Sequence, residues 1–405
     1  MVARVTNYSG PIRADTQYNR KVCHLKIQIA RNNQMKTRAL RTRAAAIITM
    51  AALLTTACGT AATSTSASTS EGSAEAASDT TAVASATESS QNTDTQTASA
   101  AASGSSQEMM GAAGGKGGFG GAGGGGGVDK SGDEELQTLI SDVAGKFSQV
   151  DYTDSETGLT VTYNIYLPED YDASKEYPMV VFIADSSVAN GDAEASLTQG
   201  YGALVWASED FQSTNESIVL VPTYPETILD DHSGYTTTDY VELTYRLIED
   251  VAAKYSVNKI YGTGQSMGCM TTLILASEHP DLYAACMFVD GQWDVSTLKS
   301  LENQKFVYFA AEGDDNAYAG MQEVESMLDT DSVSYATAQF DATWSDEELE
   351  NAEESLLSQN SSINMITWKK GTVLPEGTAE GTSEHMYAFD YAYQCTAIMK
   401  WLMEQ

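Results

Sequence analysis

The chain has 405 residues, with 22 Lys and Arg against 56 Asp and Glu, and its formal net charge is −34 at pH 7. Residues 133–405 hold 10 of the basic and 48 of the acidic side chains, without a basic stripe. This charge argues against nucleic acids and anionic lipid surfaces as partners of that region. Its 273 residues are enough for one sizeable hydrophobic core.

An apolar run at residues 44–54 follows a basic stretch and precedes small residues. This order is typical of an export signal. A membrane-spanning helix needs about 20 apolar residues, so the run is too short to span a bilayer. Met35 stands where a start codon is expected. We therefore predict a misassigned start over residues 1–34 and an export signal over residues 35–57.

The segment from Leu54 to Gly59 resembles the lipoprotein box of bacteria, although Thr55 stands where Leu or Val is usual. The resemblance implies a lipid on Cys58 that holds the protein on the outer face of the cytoplasmic membrane. Cleavage after Ala57 and secretion remain the alternative. Residues 58–132 are rich in Ser, Thr, Ala and Gly, which predicts a disordered tether before a domain at residues 133–405.

The domain alternates strand-like and helix-like segments. Apolar or alternating runs predict strands at residues 158–168, 177–184, 217–222, 258–264, 285–289, 306–311 and 365–368. Helical spacing predicts helices at residues 134–147, 240–255 and 267–279, and a last helix ending in Trp401. This alternation predicts an α/β fold in which helices cover both faces of a mostly parallel sheet.

Cysteine and histidine positions indicate neither a disulfide framework nor a metal site. Cys269, Cys286 and Cys395 are an odd set of thiols without CxxC spacing. The four His, at positions 24, 232, 279 and 385, have no metal-ligand spacing. We expect no metal and no cofactor.

Gly264-Gln265-Ser266-Met267-Gly268 fits the G-x-S-x-G pattern, follows a predicted strand and opens a predicted helix. That context is typical of a nucleophile elbow, in which a sharp turn exposes the serine at the carboxyl end of the sheet. Ser266 is therefore the candidate nucleophile. The backbone N–H of Met267 is a candidate donor to a developing oxyanion.

A serine nucleophile needs a base and an orienting acid, which follow it in the order Ser, acid, His in hydrolases with such an elbow. His385 lies between the last predicted strand and the last helix, where the base belongs, whereas we expect His279 at a helix end on the surface. Asp314 follows the strand at residues 306–311 and is the candidate acid. Asp315 and Asp294 remain the alternatives.

The loop after the strand at residues 177–184 is expected to supply a second oxyanion donor. The N–H of Asp185 and that of Ser186 are both candidates, and the sequence does not distinguish them. Apolar and aromatic residues commonly line substrate clefts. The candidates here are Gln265 in the motif and three aromatic residues at or after strand ends, which are Trp206, Tyr224 and Trp293.

Residues 258–294, with the G-x-S-x-G motif, resemble secreted α/β-hydrolase esterases related to feruloyl and acetyl-xylan esterases and to sequences labelled "predicted peptidase". Glu312-Gly313-Asp314 and Glu384-His385-Met386-Tyr387 are similar to their acid and His motifs. The resemblance covers about residues 158–405. It implies an α/β-hydrolase fold and serine-dependent hydrolysis of ester substrates, either small or linked to polysaccharide.

Two other functions remain open at this point. A serine peptidase of the prolyl-oligopeptidase kind usually carries an N-terminal propeller, for which the sequence has no counterpart. A non-catalytic, tethered binding lipoprotein would not need the set of Ser, Asp and His in the order of a triad. An extracellular serine carboxylesterase is the favoured interpretation.

Overall fold

The computed structural model of the protein describes residues 128–405. The predicted start, the export signal, Cys58 and nearly all of the predicted tether lie outside these residues. Within the described range, no helix has both the length and the apolar character that crossing a membrane requires.

One large sheet organises the described part of the chain. The strands are β1 (Ser148–Thr153), β2 (Thr160–Tyr166), β3 (Tyr177–Ile183), β4 (Ile218–Thr223), β5 (Leu229–Asp230), β6 (Thr236–Thr237), β7 (Val257–Gln265), β8 (Ala285–Val289), β9 (Phe306–Ala311), β10 (Ala336–Phe340) and β11 (Ile363–Trp368). Nine of them form a sheet in the order β1-β2-β4-β3-β7-β8-β9-β11-β10, and β5 pairs with β6 separately. Only the β1–β2 and β2–β4 pairs of the nine-stranded sheet are antiparallel.

The helices are α1 (Glu134–Val143), α2 (Ala193–Thr198), α3 (Tyr201–Leu204), α4 (Glu209–Gln212), α5 (Asp239–Lys254), α6 (Met267–Glu278), α7 (Asp315–Thr330), α8 (Asp346–Leu357), α9 (His385–Ala392) and α10 (Thr396–Met403). Short 3-10 helices occupy Ala144–Lys146, Ser186–Val188, Val205–Ala207, Val295–Thr297 and Lys299–Asn303.

Both faces of the sheet are covered, as the continuous apolar strands require. All six residues of β9 and all five of β8 are buried. Met179, Val181 and Ile183 of β3 pack into one hydrophobic cluster, while Val180 and Phe182 pack into another. Because alternate residues of a strand point to opposite faces, these clusters are the two sides of the sheet. The predicted mostly parallel sheet with helices on both faces is confirmed.

The edges of the sheet differ from the sequence-based expectation. The helix predicted at residues 134–147 ends at Val143, and β1 begins at Ser148. β1 was missed because its Ser, Gln, Asp and Thr face solvent along much of its length. β10 at the opposite edge was also missed, since Gln339 and its neighbours lack a continuous apolar run.

A buried carboxylate joins two helices near the C-terminus. Glu353 of α8 is 2% exposed, and it accepts the N–H groups of Ala397 at 2.8 Å and Ile398 at 3.0 Å, in the first turn of α10. Burial raises the pKa of Glu353 from its ordinary 4.5 to about 7, although the two N–H donors oppose the shift. The folded protein therefore holds this proton over a pH range in which an unfolded chain has released it.

Glu353 should make the protein less stable as the pH rises from about 4.5 to about 7, because folding then requires burial of an ionised carboxylate. The difference between these pKa values corresponds to at most about 3 kcal/mol. Glu353→Gln cannot ionise, and its carbonyl oxygen still accepts from α10. Its free energy of unfolding, measured by urea unfolding, should therefore exceed that of the parent by more at pH 8 than at pH 5.

The control is Glu347→Gln, an exposed position on the same helix. Its difference from the parent should be the same at both pH values. An equally constant difference for Glu353→Gln would contradict the raised pKa.

Candidate active site

Ser266 is the single residue between the end of β7 and the start of α6. Its backbone has φ 51° and ψ −117°, a conformation that a residue with a side chain rarely adopts and that costs about 1–3 kcal/mol. The Ser266 N–H donates to the carbonyl of Val289, at the end of the neighbouring strand β8, at 3.0 Å. A Cβ at Gly268 would lie 1.8 Å from the carbonyl oxygen of Ile183. This turn therefore has the sharp geometry of a nucleophile elbow and depends on glycine at position 268.

The structure brings Ser266, His385 and Asp314 together. His385 Nε2 lies 2.8 Å from Ser266 Oγ, and His385 Nδ1 lies 2.5 Å from Asp314 Oδ2. With a proton on Nδ1, the imidazole donates to the carboxylate and accepts from the serine hydroxyl. This is the relation of nucleophile, base and orienting acid that serine hydrolases use.

The three carboxylates considered for the acid have different environments. Asp314 is 4% exposed and caps α7, because its Oδ1 accepts the N–H of Ala317 at 3.3 Å. Asp315 is the exposed first residue of α7. Asp294 accepts the N–H and the hydroxyl of Ser296 in a 3-10 turn. Of these three carboxylates, the structure places only Asp314 against His385.

The electrostatics of His385 favour its protonated form. Burial by itself lowers the pKa of His385, but the hydrogen bond and the charge of Asp314 outweigh it and raise the pKa above 6.5. A carboxylate in this position also selects the tautomer in which Nε2 is free to accept a proton. A proton taken up at Nε2 would therefore leave an imidazolium beside the Asp314 carboxylate, whose hydrogen bond and charge favour that form.

Sequence reasoning missed Asp290, which follows β8 and is completely buried. Its Oδ1 accepts the N–H of Ala311 at 2.7 Å, and its Oδ2 has no hydrogen-bond partner within residues 128–405. Burial, reinforced by the charge of Asp314, raises the pKa of Asp290 well above 3.8. These effects favour the neutral form of Asp290. An acidic residue directly after a fully apolar strand was the available signal.

The loop after β3 is tied to the elbow through the carboxylate of Asp185. Asp185 Oδ2 accepts from the side-chain amide of Gln265 at 2.9 Å and also from that of Gln199. Its Oδ1 accepts the N–H of Ser187 at 2.7 Å, so this N–H is engaged within the loop. The N–H groups of Asp185 and Ser186 both remain candidates for the second oxyanion donor. The first candidate donor is the N–H of Met267, the first residue of α6.

Two of the residues expected to line the substrate cleft belong to the interior instead. Trp206 is fully buried, with its ring edge-on to Phe211 at a centroid distance of 5.1 Å. Tyr224 is 3% exposed, and its hydroxyl lies 2.8 Å from that of Thr244. The expectation was wrong for both, because their rings fill the core beside the sheet.

The other two residues expected at the cleft have different surroundings. Gln265 is buried and binds Asp185, so it holds the loop after β3. Trp293 is 6% exposed and lies edge-on to Tyr235, at a centroid distance of 5.2 Å. Tyr235 is 40% exposed, so of this pair it is the ring that solvent reaches.

Among residues 128–405, one set of side chains has ligand atoms close enough for a metal ion, namely Glu242, Glu278 and His279. His279 Nε2 already lies 3.0 Å from a Glu242 oxygen, and its ring stacks on Tyr245 at 3.6 Å. These contacts account for His279 as a partly exposed residue at the end of α6.

The comparisons with known proteins agree with this geometry. The model of the Esterase family, described as "Putative esterase", matches residues 155–386. A solved thermostable esterase is 21% identical with a TM-score of 0.53, and the match covers 65% of this chain and 64% of that one. The chain thus spans less than two thirds of that esterase. This likeness shows the α/β-hydrolase fold.

Two further structures are more distant. A feruloyl esterase module from Clostridium thermocellum is 15% identical with a TM-score of 0.40, covering 61% of this chain and 88% of its own. An S-formylglutathione hydrolase from Agrobacterium tumefaciens is 12% identical with a TM-score of 0.40, covering 64% and 95%. No curated protein matches the sequence. On the family match, the chain belongs to the Esterase family, and it has the α/β-hydrolase fold.

Proposed function

We propose that the protein is an extracellular serine carboxylesterase in which Ser266 is the nucleophile, His385 the general base and Asp314 the orienting acid. The observation that carries the proposal is the continuous line of contacts from Asp314 through His385 to Ser266, at 2.5 Å and 2.8 Å. The distance from His385 to Ser266 is within the range of hydrogen bonds that transfer protons, and the distance from His385 to Asp314 is shorter than that of an ordinary hydrogen bond.

In the first half-reaction, Ser266 Oγ attacks the ester carbonyl carbon while its proton moves to His385 Nε2. The carbonyl oxygen becomes an oxyanion, which the N–H of Met267 and an N–H of Asp185 or Ser186 bind. When the tetrahedral intermediate collapses, the imidazolium gives its proton to the departing alkoxide. The alcohol leaves, and the acyl group remains on Ser266.

In the second half-reaction, water attacks the acyl-enzyme and His385 takes its proton. The second tetrahedral intermediate collapses, the proton returns to Ser266 Oγ, and the carboxylic acid is released. Asp314 takes no proton in this scheme and stabilises the imidazolium in both steps. No cofactor takes part in this scheme.

The proposed substrates are carboxylic esters, either small esters or acyl groups carried by plant polysaccharide. The motif resemblance to secreted esterases supports this class. The leader-like sequence before Cys58 supports export, with the protein either lipid-anchored on the outer face of the bacterial cytoplasmic membrane or secreted. The tether would then separate the catalytic domain from the membrane.

Ser266→Ala should lower ester turnover by several orders of magnitude, since the members of a triad act as a unit. A panel of chromogenic esters and peptide anilides is the measurement, and we expect turnover of the esters. A fluorophosphonate probe should label the parent and not this variant. Ser277→Ala, at the far end of α6, is the control and should retain both properties. Labelling at another serine, or a preference for peptides, would contradict the proposal.

Asp314→Asn should reduce kcat by roughly 10³- to 10⁴-fold, with little change in KM, because the imidazole loses its orienting charge. The pH midpoint of the remaining activity should also fall. Asp314 makes the largest of the contributions that raise the pKa of His385, so without it the opposing effect of burial has more weight and the pKa falls. Asp315→Asn is the control and should keep the kcat and pH midpoint of the parent. The opposite result for the two variants would exclude Asp314 as the acid.

The lipid anchor predicts that cells expressing the full chain incorporate a palmitate analogue into the protein. Cys58→Ala should abolish this label, because the cysteine thiol is the site of attachment. Labelling of the cysteine variant, or no labelling of the parent, would show that the protein is not anchored through Cys58.

A further inference from the structure

A buried carboxylate that has no role in the scheme above directly precedes the base. Glu384 is 2% exposed. It stands at the N-cap position of α9, but among the described residues its side chain does not accept from the N–H groups of that helix. A buried carboxylate is unfavourable unless it is hydrogen-bonded. Its partners must therefore lie elsewhere.

Those partners are backbone groups of two other loops. One oxygen, Oε2, accepts the N–H of Gly313 at 3.1 Å, and the other, Oε1, accepts the N–H of Gly371 at 2.5 Å. The N–H of Glu384 itself donates to the Gly313 carbonyl at 3.3 Å. One side chain thus connects the His385 loop to the Asp314 loop and to the loop after β11.

Gly313, the residue before Asp314, leaves the space that this carboxylate fills. A Cβ at position 313 would lie 2.1 Å from the Cδ of Glu384. The absent side chain of one loop and the buried carboxylate of the other therefore fit together. Any shift of Glu384 moves the backbone on which both Asp314 and His385 stand.

We propose that Glu384 is a positioning residue, whose carboxylate sets the separation of Asp314 and His385 by binding both of their loops. The inference rests on the proposed function, since it assigns a role in the same reaction. Hydrogen bonds to a charged acceptor are stronger than neutral ones, so a carboxylate suits this purpose. A misplacement of about 1 Å in a catalytic group lowers the rate about 100-fold, so the separation of Asp314 and His385 must be set closely.

Glu312 provides a matched control on the other side of Gly313. Its Oε2 accepts the N–H of Lys370 at 3.0 Å, and its Oε1 accepts from the amide of Gln339 at 2.5 Å. Glu312 therefore connects the loop after β9 to the loop after β11 through one hydrogen bond and to β10 through the other. Its side chain makes no hydrogen bond to the His385 loop within residues 128–405.

The experiment compares Glu384→Gln with Glu312→Gln in the full chain, using a chromogenic ester. A Gln side chain keeps the volume, but only one of its two terminal atoms accepts, so one loop is released. We expect Glu384→Gln to lower kcat by about 10- to 100-fold with KM within about twofold. Glu312→Gln should stay within about threefold of the parent in both constants. Both variants should lose similar stability in urea unfolding.

The pH profile separates positioning from general destabilisation. With Asp314 less well aligned, the pH midpoint of kcat in Glu384→Gln should move down, in the same direction as in Asp314→Asn. Gly313→Ala displaces the carboxylate from the opposite side and should reproduce both the loss of kcat and the shift. If Glu384→Gln does not fold, this second variant decides the question by the same two readouts.

Equal kcat values and equal pH midpoints for Glu384→Gln and Glu312→Gln would overturn the inference. So would a Gly313→Ala variant that folds and keeps the pH midpoint of the parent. The proposed function fails separately, if Ser266→Ala retains the ester turnover of the parent.

Discussion

The close approach of α6 to the end of β3 is the constraint on which the arrangement of the site depends. Gly268, in the first turn of α6, leaves no room for a side chain against the carbonyl of Ile183, the last residue of β3. The loop that begins there contains Asp185 and Ser186, and α6 begins with Met267. Both groups of candidate oxyanion donors therefore come from backbone that this one contact holds together, and Asp185 reinforces it through Gln265.

Around the base, the structure concentrates acidic groups in different environments. Asp290 and Asp314 follow neighbouring strands, and Ala311 links them, since its N–H donates to the Asp290 carboxylate and its carbonyl accepts the N–H of Asp314. Two ionised carboxylates in so buried a place would repel each other. Burial and the charge of Asp314 raise the pKa of Asp290 well above 3.8, which favours its neutral form and reduces this repulsion. The hydrogen bond and the charge of Asp314 also raise the pKa of His385, against the effect of burial.

What the sequence could predict depends on how far apart along the chain the interacting residues lie. The buried strands and the elbow are local sequence patterns. Asp314 was chosen as the candidate acid because it follows a strand whose six residues are all buried. Glu384 could not be assigned, because its partner Gly313 lies 71 residues away. Trp206 was misplaced for the same reason, since its neighbour Tyr393 comes from the far end of the chain. Exposed edge strands such as β1 carry too few apolar residues to be recognised.

The order of strands explains how the contact between Glu384 and Gly313 forms although the two residues are far apart in the sequence. β9 and β11 pair in parallel, with Ala311 opposite Trp368, so the chain leaves both strands side by side. The loop after β11 must then return to bring His385 to this same edge. Long loops lose conformational entropy when their ends are fixed. Glu384 is at the end of this loop and accepts the N–H of Gly371 near its beginning, 13 residues earlier. This hydrogen bond closes the loop directly before His385. The backbone N–H of Gly313 then aligns the closed loop with the acid.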